Sequence, residues 1–368
     1  MKINYNFWNG KRVLITGHTG FKGGWLSIIL KQLGSKVSGL ALNPEGKNNF
    51  FTSAKVKKYL KHDFRKDISN LQSLKSCIKK IDPEIIFHLA AQSSVIESFK
   101  NPSKTIISNV VGTSNILESL RENNKVKCLI IITTDKVYQN YKNNKFFDEN
   151  SPLGGDDVYS GSKACCELIV NSYAKSFYSK KKCKIATVRA GNCFGGGDWT
   201  EDRIVKDCLE KFTSNKTLFL RKPDATRPWQ HVLEPLHGYL LLAQKLCSKK
   251  SEEFQGPWNF RPNSRQNLKV ANFVKIFKKK IKTKSKIVIK RNDKKFSTKK
   301  FKVFESKNLS LNSNKVFKKL GWKPFLSIKQ AADLTIEWYM AFKRKENLSL
   351  ITEKQIKIYR KNLNIISK

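Results

Sequence analysis

The chain alternates between two hydrophobic periods. Short continuous apolar runs rich in valine and isoleucine, at 13–15, 36–42, 59–64, 84–89, 127–133 and 185–189, have the length and character of strands buried on both faces. Between them, at 26–33, 68–80, 101–123 and 158–177, apolar residues recur at the spacing of amphipathic helices. Gly34 stops the first helix, and the Asn101-Pro102 pair starts the third. This alternation predicts an α/β fold, a Rossmann-type doubly wound parallel sheet covered by helices on both faces. Beyond Gly191 the pattern changes. A glycine-rich loop leads to a helix at 203–212, a short strand at 218–220, a helix at 234–246 and a strand at 257–260. The lysine-rich stretch 278–308 reads as exposed loops and edge strands, 321–324 as a turn and 327–342 as a final amphipathic helix, followed by a polar, mobile tail.

The turn after the first run carries the first chemical signal. In KRVLITGHTGFKGGW, Gly17, Gly20 and Gly23 fall three apart, directly between strand and helix. Gly17 permits the turn, Gly20 lets backbone approach a phosphate, and Gly23 lets the helix pack on the strand. The helix start aims unpaired N–H groups and a positive dipole end at an anion, as a dinucleotide site requires. His18 and Lys22 are placed to assist a pyrophosphate; equally, His18 reads as a loop residue facing water and Lys22 as a solvated charge. The second strand ends in Asn43, where an acid would bind the ribose hydroxyls of NAD, so the preference between NAD and NADP stays open. Asp63 closes the third strand. The expected division is an NAD-binding domain over 1–190, with a returning segment about 232–261, and a smaller C-terminal substrate-binding domain from 191–231 and 262–368.

Composition narrows the class. A chain of 368 residues suggests about two domains, and 39% hydrophobic residues suffice for real cores. The net charge of +43 comes from lysine scattered through most segments, not from a stripe. That argues against a nucleic-acid partner and fits a composition bias, or a surface that attracts anions generally. No apolar run of about 18 residues occurs, so no membrane span is expected. The first residues lack a signal-peptide core, and a cytoplasmic protein is expected. The eight cysteines form no CxxC pair and no metal-like spacing; most read as small buried hydrophobes, and no metal site is expected.

Tyr159 and Lys163 stand four apart in YSGSK, on one face of a predicted helix. An ammonium beside a phenol favours phenolate, and a phenol so tuned can take a proton from a sugar hydroxyl. The preceding strand ends in Thr134, followed by Asp135 and Lys136. Together these motifs resemble the extended short-chain dehydrogenase/reductase family. GHTGFKGGW, TTDK, YSGSKACCE, RAGNCFGGGDW and RPWQHVLEPL are similar to the branch of that family that dehydrates CDP-glucose. The resemblance implies NAD held by Gly17, His18, Gly20, Phe21, Lys22, Gly23, Asn43, Asp63, Ala90, Ala91, Tyr159 and Lys163. It implies CDP-glucose as substrate, bound by Gln92, Asn192, Arg203, Arg227 and His231. It makes Tyr159 the base at the 4-hydroxyl, Thr134 a hydrogen-bond partner of O4, and Asp135 the acid at the leaving C6 hydroxyl. Lys136 stands where dTDP-sugar relatives have a glutamate base. It can serve only if burial or nearby charge lowers its pKa. The resemblance also implies a homodimer through helices 101–123 and 158–177, and a place in deoxysugar and surface-polysaccharide (O-antigen) synthesis. Other readings remain: a surface ion pair for Asp135 and Lys136, packing roles for His231 and Trp229, an epimerase, or a dehydratase for a dTDP-, GDP- or UDP-sugar. Outside catalysis, an NAD-binding regulator and an RNA-binding protein are the alternatives. The intact Thr134, Tyr159, Lys163 set and the absence of an RNP-like motif argue against these two.

Overall fold

The structure, a computed structural model, describes residues 3–139, 146–201, 203–262, 267–289 and 310–366. Seven parallel strands form the central sheet: β1 Arg12–Thr16, β2 Lys36–Ala41, β3 His62–Arg65, β4 Ile85–His88, β5 Cys128–Ile132, β6 Lys184–Ala190 and β7 Gly256–Phe260. Their spatial order is β7-β6-β5-β4-β1-β2-β3. The chain winds in opposite directions from β1 and β4, so their carboxyl ends open a crevice at the switch point. Thr16 and His88 lie directly opposite each other there.

The continuous apolar runs make strands because both faces are covered. Alternate residues go to opposite cores. Val13, Ile15, Ile85, Phe87, Ile130 and Val188 join one cluster, with Trp25, Leu26 and Leu240 from helices Phe21–Gln32 and Leu233–Leu246. Leu14, Ile86, Leu129, Ile131 and Ile185 join the other, with Leu74, Ile78, Ile116 and Leu117.

Several elements differ from expectation. The third strand begins only at His62, because Val56–Tyr59 forms a tight 3-10 turn. The helix expected over 101–123 runs through Pro102–Ile106 and a π-wound stretch Ile107–Val111 and ends with Gly112–Ser119. Lys278, Lys279 and Lys280 are not loop residues. They close helix Val270–Ile281, whose buried Phe273, Val274 and Phe277 decide its fate, and three cations suit a helix C-terminus. Ile287–Ile289 is a strand paired with Leu218–Leu220, and 290–309 of the lysine-rich stretch lie outside the described residues. The polar tail is a helix, Leu348–Ile366, packed on Ile328–Lys343. Leu348, Ile356 and Tyr359 are buried at helical spacing that the lysines between them obscure. Glu234, fully buried, secures this region: its carboxylate accepts from the Phe325 and Leu326 N–H groups and from the Tyr359 hydroxyl. Among the described residues no helix is long and apolar enough to cross a membrane.

Candidate active site

The crevice is floored by the glycine turn. Gly17 has φ +75°, and a Cβ there would lie 2.6 Å from the Ala90 nitrogen. A Cβ on Gly23 would lie 2.2 Å from the Gly17 carbonyl oxygen. The turn, the helix and the β4 end therefore close on one another only with glycine at both positions. Gly20 is the N-cap of the Phe21–Gln32 helix and supplies no side-chain cap, so the first N–H groups face the crevice mouth unclaimed by a side chain. Thr16 ties this turn to β4: its hydroxyl bonds His88 Nδ1 at 2.7 Å and accepts from the Ala90 N–H at 3.2 Å. Burial lowers the His88 pKa to about 3, so its ring is neutral.

His18 does not face water. Its ring is fully buried over Gly39, edge-on to Phe51, with Nε2 2.8 Å from Asp63 Oδ1. Desolvation lowers its pKa, against the opposing effect of Asp63. Asp63 uses its other oxygen on Arg65 at 2.8 Å. Asn43 is exposed just beyond β2, and Ala90 and Ala91 are half-buried beyond β4. Phe21 packs edge-on against Phe50, and Lys22 reaches the Cys193 thiol and acts electrostatically on Asp135 and Lys163. A glycine turn that a side chain would fill, an unclaimed helix start and a cation within the pocket fit a dinucleotide. Gly23→Ala is expected to weaken NAD binding about tenfold or more, because overpacking forces the helix off the turn; isothermal titration of the purified variant measures this.

Thr134, Asp135 and Lys136, at the carboxyl end of β5, pack against the helix that carries Tyr159 and Lys163. The Thr134 hydroxyl donates to Asp135 Oδ1 at 3.1 Å and accepts from the Lys136 N–H at 3.3 Å. It also acts on the Tyr159 phenol, pulling its pKa down. Asp135 is 3% exposed, and its Oδ2 has no partner. Burial raises its pKa, against the lowering pull of Lys136, the Thr134 hydrogen bond, Arg227 and Lys22. It is a carboxyl held toward its acid form. Lys136 is half-buried beside it.

The Tyr159–Lys163 pair departs from expectation. Both side chains are buried on helix Val158–Tyr173, whose N-cap Asp157 accepts from Ser160. Lys163 Nζ, however, donates to the Ile132 carbonyl at 3.2 Å, and burial lowers its pKa. Tyr159 is pushed up to about 12 by burial, with Thr134 and Arg203 pulling the other way. Desolvation outweighs Arg203, the cation that acts on the phenol, and the phenol is protonated at neutral pH.

The residues expected to bind substrate fall into two groups. Arg203 lies near Tyr159, and Arg227 acts on Asp135 while its guanidinium donates to the Thr226 carbonyl. Asn192 is half-buried, its carbonyl accepting from Gln230. Gln92 is held by Asn109, Ser94 and Thr105. His231 is 1% exposed, packed edge-on against Trp25 and Phe194, with its pKa lowered to about 3. Trp229 stacks on Phe273 with centroids 3.9 Å apart.

Sequence reading missed the clamp around the glycine-rich loop. Trp25, Phe50 and Trp338 stack in series, at 5.3 and 5.9 Å, and Trp25 Nε1 donates to the Gly196 carbonyl. A Cβ on Gly196 would lie 2.1 Å from Trp338. Phe50 and Trp338 are 288 positions apart, and no local pattern reveals their contact.

Comparisons with known proteins agree with this architecture. A family profile for GDP-mannose 4,6 dehydratase matches residues 14–335. The CDP-glucose 4,6-dehydratase of Salmonella typhimurium strain LT2 is 35% identical over 363 residues, covering 97% of this chain and 98% of that protein. Among solved structures, the UDP-glucose 4-epimerase of Thermotoga maritima with UDP-glucose aligns at TM-score 0.76 and 20% identity, over 90% of this chain and 99% of that one. The dTDP-glucose 4,6-dehydratase of Bacillus anthracis in complex with NAD aligns at TM-score 0.73 and 19% identity, over 92% and 99%. With most of its length matched by the profile and nearly all of it by a curated relative, the chain belongs to the GDP-mannose 4,6 dehydratase family.

Proposed function

We propose that this protein is an NAD-dependent hydro-lyase that converts CDP-D-glucose to CDP-4-dehydro-6-deoxy-D-glucose. The observation that carries the reading is the Thr134 hydroxyl, which donates to a buried carboxyl biased toward its acid form and lowers the pKa of a buried phenol. An epimerase needs the phenol but has no use for the acid. The relative's activity on CDP-glucose supplies the nucleotide.

When bound, NAD would supply the hydride acceptor for C4 and the donor for C6. The turn Gly17–Gly23, with His18, Phe21 and Lys22, would hold its pyrophosphate; Asn43 and Asp63 the adenosine end; Ala90, Ala91, Tyr159 and Lys163 the nicotinamide end. Tyr159 takes the O4 proton while Thr134 holds O4 in place. The ketone so formed acidifies C5. Lys136 removes the C5 proton and returns one to C5 when C6 is reduced, and Asp135 delivers its proton to the departing C6 hydroxyl, which leaves as water. Arg203 and Arg227 suit the diphosphate because a guanidinium donates paired hydrogen bonds. Asn192 and His231, from 191–231, and Gln92, from the turn after β4, complete the sugar-nucleotide side. The product would feed deoxysugar and surface-polysaccharide (O-antigen) synthesis in the cytoplasm. Incubating the protein with CDP-, dTDP-, GDP- and UDP-glucose, with and without added NAD, tests the reading. The 4-keto product should form fastest from CDP-glucose; a faster reaction with another nucleotide would overturn the assignment.

We also propose a homodimer. Ile106, Ile107 and Val111 from the 102–119 helical run, with Leu168 and Phe177 from the catalytic helix and its extension, are 40–54% exposed. They flank a groove lined by Pro102, Ser103, Val158, Gly161 and Cys165. A second copy would bury this apolar strip. Sedimentation at micromolar concentration should show a dimer, and a pure monomer would refute it.

A further inference from the structure

Behind the pocket wall lies an ionic network that the proposed chemistry does not use. Tyr159, Lys163 and Glu167 follow at intervals of four along one helix face. Glu167 is 5% exposed and Arg189 2%. Arg189 donates to Glu167 in a fork, Nε to Oε1 at 2.9 Å and Nη2 to Oε2 at 3.0 Å. The same carboxylate accepts from the Thr133 hydroxyl and the Thr187 hydroxyl, each at 2.5 Å. The remaining arm of Arg189 donates to the Tyr138 hydroxyl at 2.6 Å, which donates to Asn259 Oδ1 at 2.7 Å.

These partners are distributed with a purpose. Thr133 immediately precedes Thr134, and Tyr138 stands two residues beyond Lys136. Thr187 and Arg189 lie on β6, which leads into Gly191 and Asn192, and Asn259 lies on β7. We propose that the Glu167–Arg189 pair is the positioning device of this site, fixing the helix that carries Tyr159 and Lys163 against the strand end that carries Thr134, Asp135 and Lys136. A buried pair with every lone pair satisfied can set geometry to the tolerance that proton transfer demands, whereas a buried pair is weak evidence for stability as such. The carboxylate has a second effect. Lys163 is faced by the Ile132 carbonyl from β5, neutral His88 from β4, Lys22 from the glycine turn, and Cys166 and Glu167 on its own helix. Burial and Lys22 oppose its charge, Cys166 supports it, and Glu167 adds the support of a carboxylate.

This inference rests on the proposed reaction, and the variants separate the two. Glu167→Gln keeps the shape and removes the charge. Its kcat is expected to fall about tenfold or more, with KM for the sugar nucleotide within about threefold, because positioning is realised in the transition state. Its alkaline limb of kcat/KM should move to lower pH, since Lys163 loses its supporting charge. Glu167→Asp should restore the limb without restoring full kcat. Thr187→Val keeps both charges, so it should lower kcat less and leave the limb in place; with Glu167→Asp it decides the matter if Glu167→Gln does not fold. Wild-type kcat and pH profile in these variants would overturn the inference, as would a kcat loss that vanishes well below the melting temperature with the limb unmoved. If the wild type turns over no nucleotide-glucose, the functional reading alone falls. The inference is then read in the pH dependence of NAD affinity, which should shift in Glu167→Gln and not in Thr187→Val.

Discussion

Tyr159→Phe is expected to lower turnover by about 100-fold or more while leaving substrate affinity within a few fold, as loss of a positioned proton acceptor does. The substitution removes a single oxygen from a side chain that helix packing already holds, so the pocket keeps its shape. Burial pushes the phenol up to about 12, so it carries its proton at neutral pH. Steady-state kinetics on CDP-glucose measure the effect. Near-normal turnover would remove Tyr159 from the chemistry.

Asp135→Asn and Lys136→Met are expected to cost about as much in product, but at a later step. Asparagine keeps the shape of Asp135 and cannot deliver a carboxylic proton; methionine keeps the length of Lys136 and has no amine for the C5 proton. Either variant should still oxidise C4, so the absorbance of reduced nicotinamide should build up while 4-keto-6-deoxy product falls about 100-fold. Asp135→Asn carries a second, opposite expectation. Burial raises the Asp135 pKa above its unfolded value, so the stability it contributes is complete below the unfolded pKa and is lost as pH rises through the folded one. Asparagine removes that loss, and the variant should melt higher than wild type at neutral pH. A Lys136→Met variant that fails both to bind substrate and to oxidise C4 would make Lys136 a binding cation. Normal dehydration would place the base elsewhere.

Much of this architecture was legible in the residues because it is written in local periodicity. Six apolar runs gave six of the seven parallel strands, and the glycine triplet marked the turn between β1 and its helix. Legibility stopped where tertiary burial competes with local pattern. The spacing of Tyr159 and Lys163 reports that they share a helix face, but not that the Ile132 carbonyl takes the ammonium. His18 reads as a loop residue, yet Gly39 on the neighbouring strand leaves room for its ring and Asp63 bonds it. The helix Leu348–Ile366 hides behind lysines on its solvent side. Glu167 was within reach, since it continues the four-residue interval of Tyr159 and Lys163; its partner on β6 was not.

In the proposed reaction one pocket oxidises C4, eliminates water across C5 and C6, and returns the same hydrogen to C6. CDP-glucose carrying deuterium at C4 tests this most directly, with the product examined by NMR and mass spectrometry. The account predicts deuterium at C6 of a 4-keto-6-deoxy product. Deuterium retained at C4 of an epimerised sugar, or lost to solvent, would contradict it.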